Sequence, residues 1–220
     1  MGFIKNRFTP KIAVVGGTTF DANKGAAYLR KRGIPCDAIG MNREPEETAA
    51  MYKHPKQIVQ LFHEKVGSLQ YTDIVIFCNS LSFIHDWKSV YPKRITELNQ
   101  YYNELLQKVN IPNTAIIVAD ESTAKNISDL AGRQNLTASE LNIFPSLDLI
   151  KEIENRNEEE QYHLVKAEIE KYISKGYTEI ILACTHLDHP DFFNIAEVKI
   201  HQPGIMMLEE FIGLHRQIFS

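Results

Sequence analysis

The segments TDIVIFCNS, residues 72–80, and TEIILACTH, residues 178–186, decide the fold of this chain. Each consists of a threonine, an acid, an apolar run, a cysteine and polar residues. Continuous apolar runs rich in Ile and Val are typical of strands buried on both faces, as in parallel α/β sheets. Ligands bind beyond the carboxyl ends of strands in such folds, so Cys78 and Cys184 are predicted to face one pocket. Two thiols in one pocket suggest proton transfer across a bound molecule.

Composition indicates a soluble globular protein. The 220 residues are 44% hydrophobic and 24% charged, which is ordinary for that class. A net charge of −4 without a basic stripe argues against a nucleic-acid partner. No run approaches the roughly 18 apolar residues of a membrane span, and residues 1–10 lack the apolar core of a secretory signal, so we expect no membrane association. Three cysteines are too few for a disulfide scaffold, which favours reduced thiols and a cytoplasmic location.

Strand and helix patterns alternate through the first half. Gly16 and Gly17 are expected to break the first strand, with residues 18–22 as a loop and Asp21 or Asn23 as the N-cap of the next helix. This alternation argues for parallel strands joined by right-handed crossovers. The predicted strands are 11–15, 36–41 and the Cys78 strand. The first predicted helix follows the N-cap and ends at Arg32, and two further helices are predicted over 56–68 and 95–109.

A second unit with the same alternation begins at Ile111 and Pro112. Its predicted strands are 114–119, 141–145 and the Cys184 strand, and its predicted helices are 121–130, 155–175 and 206–219. We therefore predict an α/β fold of two pseudo-symmetric halves, residues 1–110 and 111–205, with mainly parallel sheets flanked by helices. The active site is expected in the cleft between the halves. Helix 206–219 is expected to pack back on the first half.

The residues beside the two cysteines favour chemistry over packing. A strand cysteine often packs as a small hydrophobe, which is our interpretation of Cys36. Cys78 and Cys184 instead end their strands, and Asn79 and Thr185 add hydrogen-bonding groups suited to a carboxylate or an amine. His186, two residues after Cys184, is a titrating partner that can hold a thiolate.

Two further patterns are weaker. Gly16-Gly17-Thr18-Thr19 follows the first strand, and its backbone N–H groups and hydroxyls could hold an anion, although it matches no phosphate or dinucleotide motif. Cys184-x-His186-x-x-His189 could suggest zinc, but a structural zinc site needs four ligands at suitable spacing. We therefore expect neither a metal nor a cofactor.

At Cys78-Asn79-Ser80 and Cys184-Thr185-His186 the chain resembles the aspartate/glutamate racemase superfamily of cofactor-independent racemases. That family carries Cys-Asn-Thr in its first half and Cys-Thr-His or Cys-Thr-Glu in its second. The Gly16-Gly17 pair looks like the aspartate-racemase branch, whereas the glutamate-racemase branch has Asp-Ser-Gly after its first strand. Asp21 comes later in this chain, and whether it replaces that aspartate stays open. The substrate-gripping loop usual in the second half is not evident between Lys125 and Leu141.

The resemblance implies an isomerase, a PLP-independent amino-acid racemase that inverts Cα by two-base proton transfer between two cysteines. Its partner would be an amino acid or a related carboxylate, and it would be a homodimer. Alternatives are a hydantoin racemase, a maleate isomerase, or a non-catalytic ligand-binding protein on this scaffold. The implied catalytic residues are Cys78, Cys184 and His186, and the implied substrate-binding residues are Asn79, Ser80, Thr185, Thr18 and Gly17.

Overall fold

Two parallel four-stranded sheets organise the protein in the computed structural model, which describes residues 11–67, 71–91, 94–194 and 198–219. The second sheet repeats the strand order of the first, so the chain consists of two related α/β halves. The first sheet contains β1 (Ile12–Thr18), β2 (Asp37–Asn42), β3 (Asp73–Ile76) and β4 (Ile95–Thr96), in the order β2-β1-β3-β4. The second contains β5 (Thr114–Val118), β6 (Asn142–Pro145), β7 (Glu179–Ala183) and β8 (Lys199–His201), in the order β6-β5-β7-β8.

Helices flank both sheets, as predicted. In the part of the chain described, none combines the length and apolar character that a membrane span requires. The first half contains α1 (Thr19–Lys31), α2 (Pro45–Ala50), α3 (Pro55–Phe62), α4 (Asn79–Ile84), α5 (Trp87–Val90) and α6 (Asn99–Leu106). A π-helical turn, His63–Gly67, extends α3. The remaining helices are α7 (Glu121–Gly132), α8 (Leu147–Glu154), α9 (Glu158–Ile173) and α10 (Pro203–Phe219).

The start of α1 differs from the prediction. The glycine pair does not break β1, which runs through both glycines to Thr18. The predicted loop and both predicted N-caps, Asp21 and Asn23, are wrong. Thr18 is the N-cap, because its Oγ1 accepts the backbone N–H of Asp21 at 3.3 Å. Capping by the last strand residue lets the helix begin at once.

Two predicted helices are longer than the helices in the structure. Residues 95 and 96 form β4, which pairs with β3, so the helix predicted over 95–109 covers only α6. The helix predicted over 155–175 contains α9 alone, because α8 ends at Glu154 and Asn157 caps α9. The short elements α2, α4, α5, α8 and β8 were not predicted. Ser68, the last residue of the predicted helix 56–68, lies outside the described residues.

One apolar core is shared by the two halves. It contains Val14 and Val75 from the first sheet, Ile116 and Ile181 from the second, and Met207 from α10. Two smaller cores fill the opposite faces of the sheets. The central strands are therefore buried on both faces, as their apolar runs predicted. Helix α10 contacts α1, α6 and β7, and so touches both halves.

Candidate functional site

Both cysteine motifs place their cysteines at corresponding strand ends. Cys184 follows β7 directly, and one residue, Phe77, separates Cys78 from β3. β3 and β7 hold equivalent places in the two sheets. The cysteines are 4% and 5% exposed, and their charges interact. The two thiols thus end equivalent strands of the two halves and are close enough for their charges to interact.

His186 lies between two carboxylates. Its Nδ1 is 2.9 Å from Oδ1 of Asp21, and its Nε2 is 2.6 Å from Oε1 of Glu154. The Sγ atom of Cys184 lies 3.5 Å from the same Nδ1. The ring of Phe20 stacks on the imidazole, with centroids 5.2 Å apart and planes 10° apart. These contacts fix the orientation of the imidazole beside Cys184.

Two hydroxyl groups extend this network across the halves. Thr18 donates from Oγ1 to Oε1 of Glu154 at 2.6 Å, and Thr185 donates from Oγ1 to Oδ1 of Asp21 at 2.8 Å. Thr18 and Asp21 belong to the first half, whereas Glu154, Thr185 and the histidine belong to the second. The polar site is therefore complete only where the two halves meet.

The electrostatic surroundings favour a charged imidazole and assist one thiol. Burial works to lower the pKa of His186, but Asp21 and Cys184 outweigh it and hold the pKa well above its usual range. Burial raises the pKa of Cys184, whereas the His186 imidazole acts to lower it. An imidazolium beside a thiol stabilises the thiolate. The pKa of Cys184 stays above its usual value but rises less than that of Cys78, so Cys184 is the thiol that ionises more readily.

Among the groups of the described residues that shift the pKa of Cys78, none is positively charged. Burial raises the pKa of this thiol well above its usual range, and the charge of Asp21 raises it further. The opposing contribution comes from backbone N–H groups of Leu81 and Gly17. The Leu81 N–H donates to Sγ at 3.5 Å, because Cys78 is the N-cap of α4. Cys78 is thus the weaker acid of the two thiols.

Gly17 lies against Cys78 and leaves no room for a side chain. A Cβ atom at this position would be 2.7 Å from Sγ of Cys78 and 2.7 Å from Cγ2 of Thr48. The Thr48 hydroxyl also donates to the carbonyl of Gly17 at 2.9 Å. Gly17 therefore serves the close approach of β1 to the thiol, and not the predicted strand break.

Asn79 and Ser80 follow Cys78 in the first turn of α4 and are both buried. The Oδ1 atom of Asn79 accepts a hydrogen bond from the Tyr102 hydroxyl at 2.6 Å. The Ser80 hydroxyl lies 3.2 Å from that of Thr123 in α7, and so joins the two halves. Both predicted residues thus lie next to the thiol and are held by neighbours.

Three residues of the site were not selected from the sequence. Glu154 lies in an acidic stretch in which no pattern distinguishes it. Asp21 carried a weak signal, as the next carboxylate after the glycine pair. Lys24 donates from Nζ to the carbonyl of His186 at 2.5 Å, one turn after Asp21 on α1. In the described ranges, no three His, Cys, Asp or Glu side chains are arranged to hold a metal ion.

Comparison with known proteins identifies the fold. No family model and no curated protein matches the chain. Aspartate racemase from Picrophilus torridus matches with a TM-score of 0.62 at 12% identity, over 93% of this chain and 94% of that one. Allantoin racemase from Pseudomonas fluorescens matches with a TM-score of 0.56 at 10% identity, over 93% and 92% of the two chains. A mutant of arylmalonate decarboxylase matches with a TM-score of 0.56 at 12% identity, over 93% of each chain. The chain therefore has the fold of the aspartate/glutamate racemase superfamily, which its two cysteine motifs predicted.

Proposed function

We propose that the protein is a cofactor-independent racemase that inverts Cα of an amino acid or a related carboxylate by proton transfer between Cys78 and Cys184. The unequal surroundings of the two thiols support this proposal most directly. His186 assists ionisation of Cys184, whereas burial beside Asp21 keeps Cys78 protonated. Inversion by two bases needs this combination, a thiolate on one face of the substrate and a thiol on the other.

In the proposed reaction, the Cys184 thiolate removes the α-proton and the Cys78 thiol donates its own proton to the opposite face. The opposite enantiomer reacts through the same steps in reverse. The α-proton of an amino acid is weakly acidic, so the carbanion-like transition state needs fixed hydrogen-bond donors and exclusion of water. The burial of both thiols meets the second condition.

The polar residues beside the thiols are proposed to position the substrate. Asn79, Ser80 and Thr185 follow the cysteines directly and offer amide and hydroxyl groups for the carboxylate and the amine. Thr18 and Gly17 are proposed to line the site from the end of β1. The contact of Gly17 with Cys78 and the hydrogen bond of Thr18 to Glu154 support that placement.

Racemisation of a hydantoin is the second candidate. The similarity to allantoin racemase favours it, and the same pair of thiols would serve, because this ring also carries an acidified C–H. We propose a homodimer for either activity on the resemblance alone. Sedimentation velocity would measure the mass of the particle, and a monomer at micromolar concentration would contradict the proposed homodimer.

Exchange of the α-proton with solvent tests the proposal. We expect the protein in D₂O to exchange Cα–H for deuterium in one class of substrate, with loss of chirality. The panel should contain both enantiomers of each amino acid and allantoin, followed by ¹H NMR and chiral chromatography. Cys78→Ser and Cys184→Ser should each reduce inversion by at least about 10²-fold, the lower end of the effect of a general acid or base.

Cys36→Ser is the matched control, because Cys36 is a half-buried thiol whose Sγ contacts the carbonyl of Ala26 and not the site. It should keep the wild-type rate. Inversion at the wild-type rate in Cys78→Ser or Cys184→Ser would exclude the two-thiol mechanism. Exchange with no member of the panel would instead favour a ligand-binding role for the scaffold.

A further inference from the structure

A cavity of about 390 Å³ lies on the outer side of α1, between α1, α9 and the start of α10. Phe20, Lys24, Tyr28 and Lys31 recur at helical spacing along the face of α1 that lines it. Its volume falls in the range of roughly 300–1,000 Å³ that is usual for small-molecule sites. The cavity is therefore large enough for an organic ligand, and not merely for a single water molecule.

A buried carboxylate without partners lines this cavity. Asp188 is 1% exposed, and within the described residues neither Oδ1 nor Oδ2 has a hydrogen-bond partner. The backbone N–H of Ile205, at the start of α10, is close enough to favour the ionised form, although it makes no hydrogen bond of acceptable geometry. Buried carboxylates are normally paired or hydrogen-bonded. Asp188 therefore needs a donor that the described residues do not supply.

Lys24 lines the same cavity and is only partly engaged. Its ammonium group has three N–H donors, and one of them bonds to the carbonyl of His186. Asp188 is the charge that acts most strongly on Lys24, yet the two groups form no ion pair within 4.0 Å. Burial lowers the pKa of Lys24 and raises that of Asp188, the directions expected of two incompletely compensated charges.

The remaining wall suits an aliphatic segment between two charges. Phe20 and Tyr28 present rings, and Ile205 adds an apolar side chain. The lining also carries the charged residues Lys31, Arg32 and Glu158, and Arg32 forms an ion pair with Glu209 at 2.8 Å. A ligand with a single charge would leave either the carboxylate or the ammonium at the base of the cavity without compensation.

We propose that this cavity binds a small zwitterion, with its ammonium group on Asp188 and its carboxylate on the free donors of Lys24. Both contacts are charge-assisted hydrogen bonds, which are among the stronger kinds. The site would also act on the thiol region, because Lys24 holds the backbone of His186 and Phe20 stacks on its ring. This inference does not depend on the proposed function, since binding is measured without turnover.

Linear ω-amino acids from glycine to 6-aminohexanoate test the proposal. None of them has a stereocentre, so racemisation cannot contribute to the signal. Isothermal titration calorimetry on the whole protein should show saturable binding with 1:1 stoichiometry and a maximum at one chain length. The alkylamine and the alkyl carboxylate of that length should each bind at least about tenfold more weakly. Absence of saturable binding along the series would overturn the proposal and would indicate that the cavity holds only water.

Four variants locate the bound ligand. Asp188→Asn preserves shape and Lys24→Met preserves the aliphatic stem, and each should weaken binding at least about tenfold. Lys31→Met, on the same face of α1, should stay within about threefold of wild type. Circular dichroism checks that each variant folds. If Asp188→Asn does not fold, the affinity of Lys24→Met alone tests the position of the ligand. Unchanged affinity in Lys24→Met, or a tenfold loss in Asn79→Ala at the thiol site, would contradict the proposed position.

Discussion

His186 distinguishes the two cysteines of the site. Both follow buried strands, and both are about equally buried. Cys184 has an imidazole at 3.5 Å, and that imidazole is held between Asp21 and Glu154. Because two carboxylates favour the imidazolium, the positive charge persists beside Cys184 at neutral pH. We therefore expect the reactivities of the two thiols to differ in the direction set by this one side chain.

Replacing His186 by asparagine should slow alkylation of Cys184 by iodoacetamide at pH 7 by about tenfold or more. Each unit by which the thiol pKa rises removes about nine-tenths of the thiolate, which is the reactive form. Mass spectrometry of the cysteine peptides gives both rates, with Cys78 as the internal reference. His201→Asn is the control, because His201 is also buried and paired with a glutamate, Glu179, but lies on the edge strand β8. Equal slowing at both cysteines would contradict this assignment.

Local sequence was enough to select Cys78, Cys184 and His186, because strand-end position and a neighbouring histidine are visible within a few residues. It was not enough for Glu154, whose contact with His186 spans 32 residues. That contact depends on where α8 ends against the second sheet. Acidic residues near a helix end are common, and nothing in the stretch separates the one that turns inward.

Gly25 sets the distance between α1 and the first sheet. A Cβ atom at this position would lie 2.8 Å from the ring of Phe77 and 2.9 Å from Val14. Helix α1 carries Asp21 and Lys24 in its first turns, and both contact the segment after β7. The approach of α1 to the sheet therefore determines the position of both charges.

Gly25→Ala should lower the free energy of unfolding by about 1–3 kcal/mol, the usual cost of overpacking a core. This loss should exceed the gain in helix propensity, which is about 1 kcal/mol. Gly213→Ala in α10 is the matched control, since no atom of the described residues lies within 4 Å of its Cβ position. It should raise stability by up to about 1 kcal/mol. Urea unfolding measures both variants, and a stabilised Gly25→Ala protein would refute the packing argument.

Most of the longer elements were predicted from the sequence, and most of the elements that were missed are short. The strand pattern before Cys184 and the apolar face of α9 each extend over several residues of one period. β4 has two residues and α5 has four, which is too short for a period to show. The boundary between α8 and α9 did carry a signal, because Asn157 and Glu160 form a capping box.

The stability of the whole molecule should depend on Glu97, which follows β4. This glutamate is 5% exposed, and its Oε2 has no hydrogen-bond partner in the described part of the chain. Burial raises its pKa to about 7, although Lys88 acts in the opposite direction. In the unfolded chain a glutamate titrates near pH 4.3, at roughly its reference pKa. The folded state therefore binds the proton more tightly than the unfolded state.

The contribution of Glu97 to the free energy of unfolding should be fully present below about pH 4. It should be lost as the pH rises through about 7. Glu97→Gln mimics the protonated side chain and should remove this part of the decline. Urea unfolding at pH 5 and pH 8 gives the slope for both proteins. Glu104→Gln, at an exposed glutamate, should keep the wild-type slope. Equal slopes in the wild type and Glu97→Gln would show that Glu97 does not titrate in this range.

At the scale of the molecule, the repeated alternation of strand and helix was sufficient to predict two α/β halves. The core that they share was not predictable, because the packing of Val14 near Ile116 and Met207 depends on how the two sheets meet. Periodicity reports which face of an element is apolar. It does not report which other element covers that face.

The unequal surroundings of the thiols have a kinetic consequence for the proposed reaction. An inversion that starts with a Cys184 thiolate ends with the proton on Cys184 and the charge on Cys78. The free protein then accepts only the enantiomer it has just released. Before it takes the first enantiomer again, a proton must return from Cys184 to Cys78 without substrate, through solvent that barely reaches either sulfur. At high substrate concentration this resetting step, rather than the chemistry at Cα, would limit the rate.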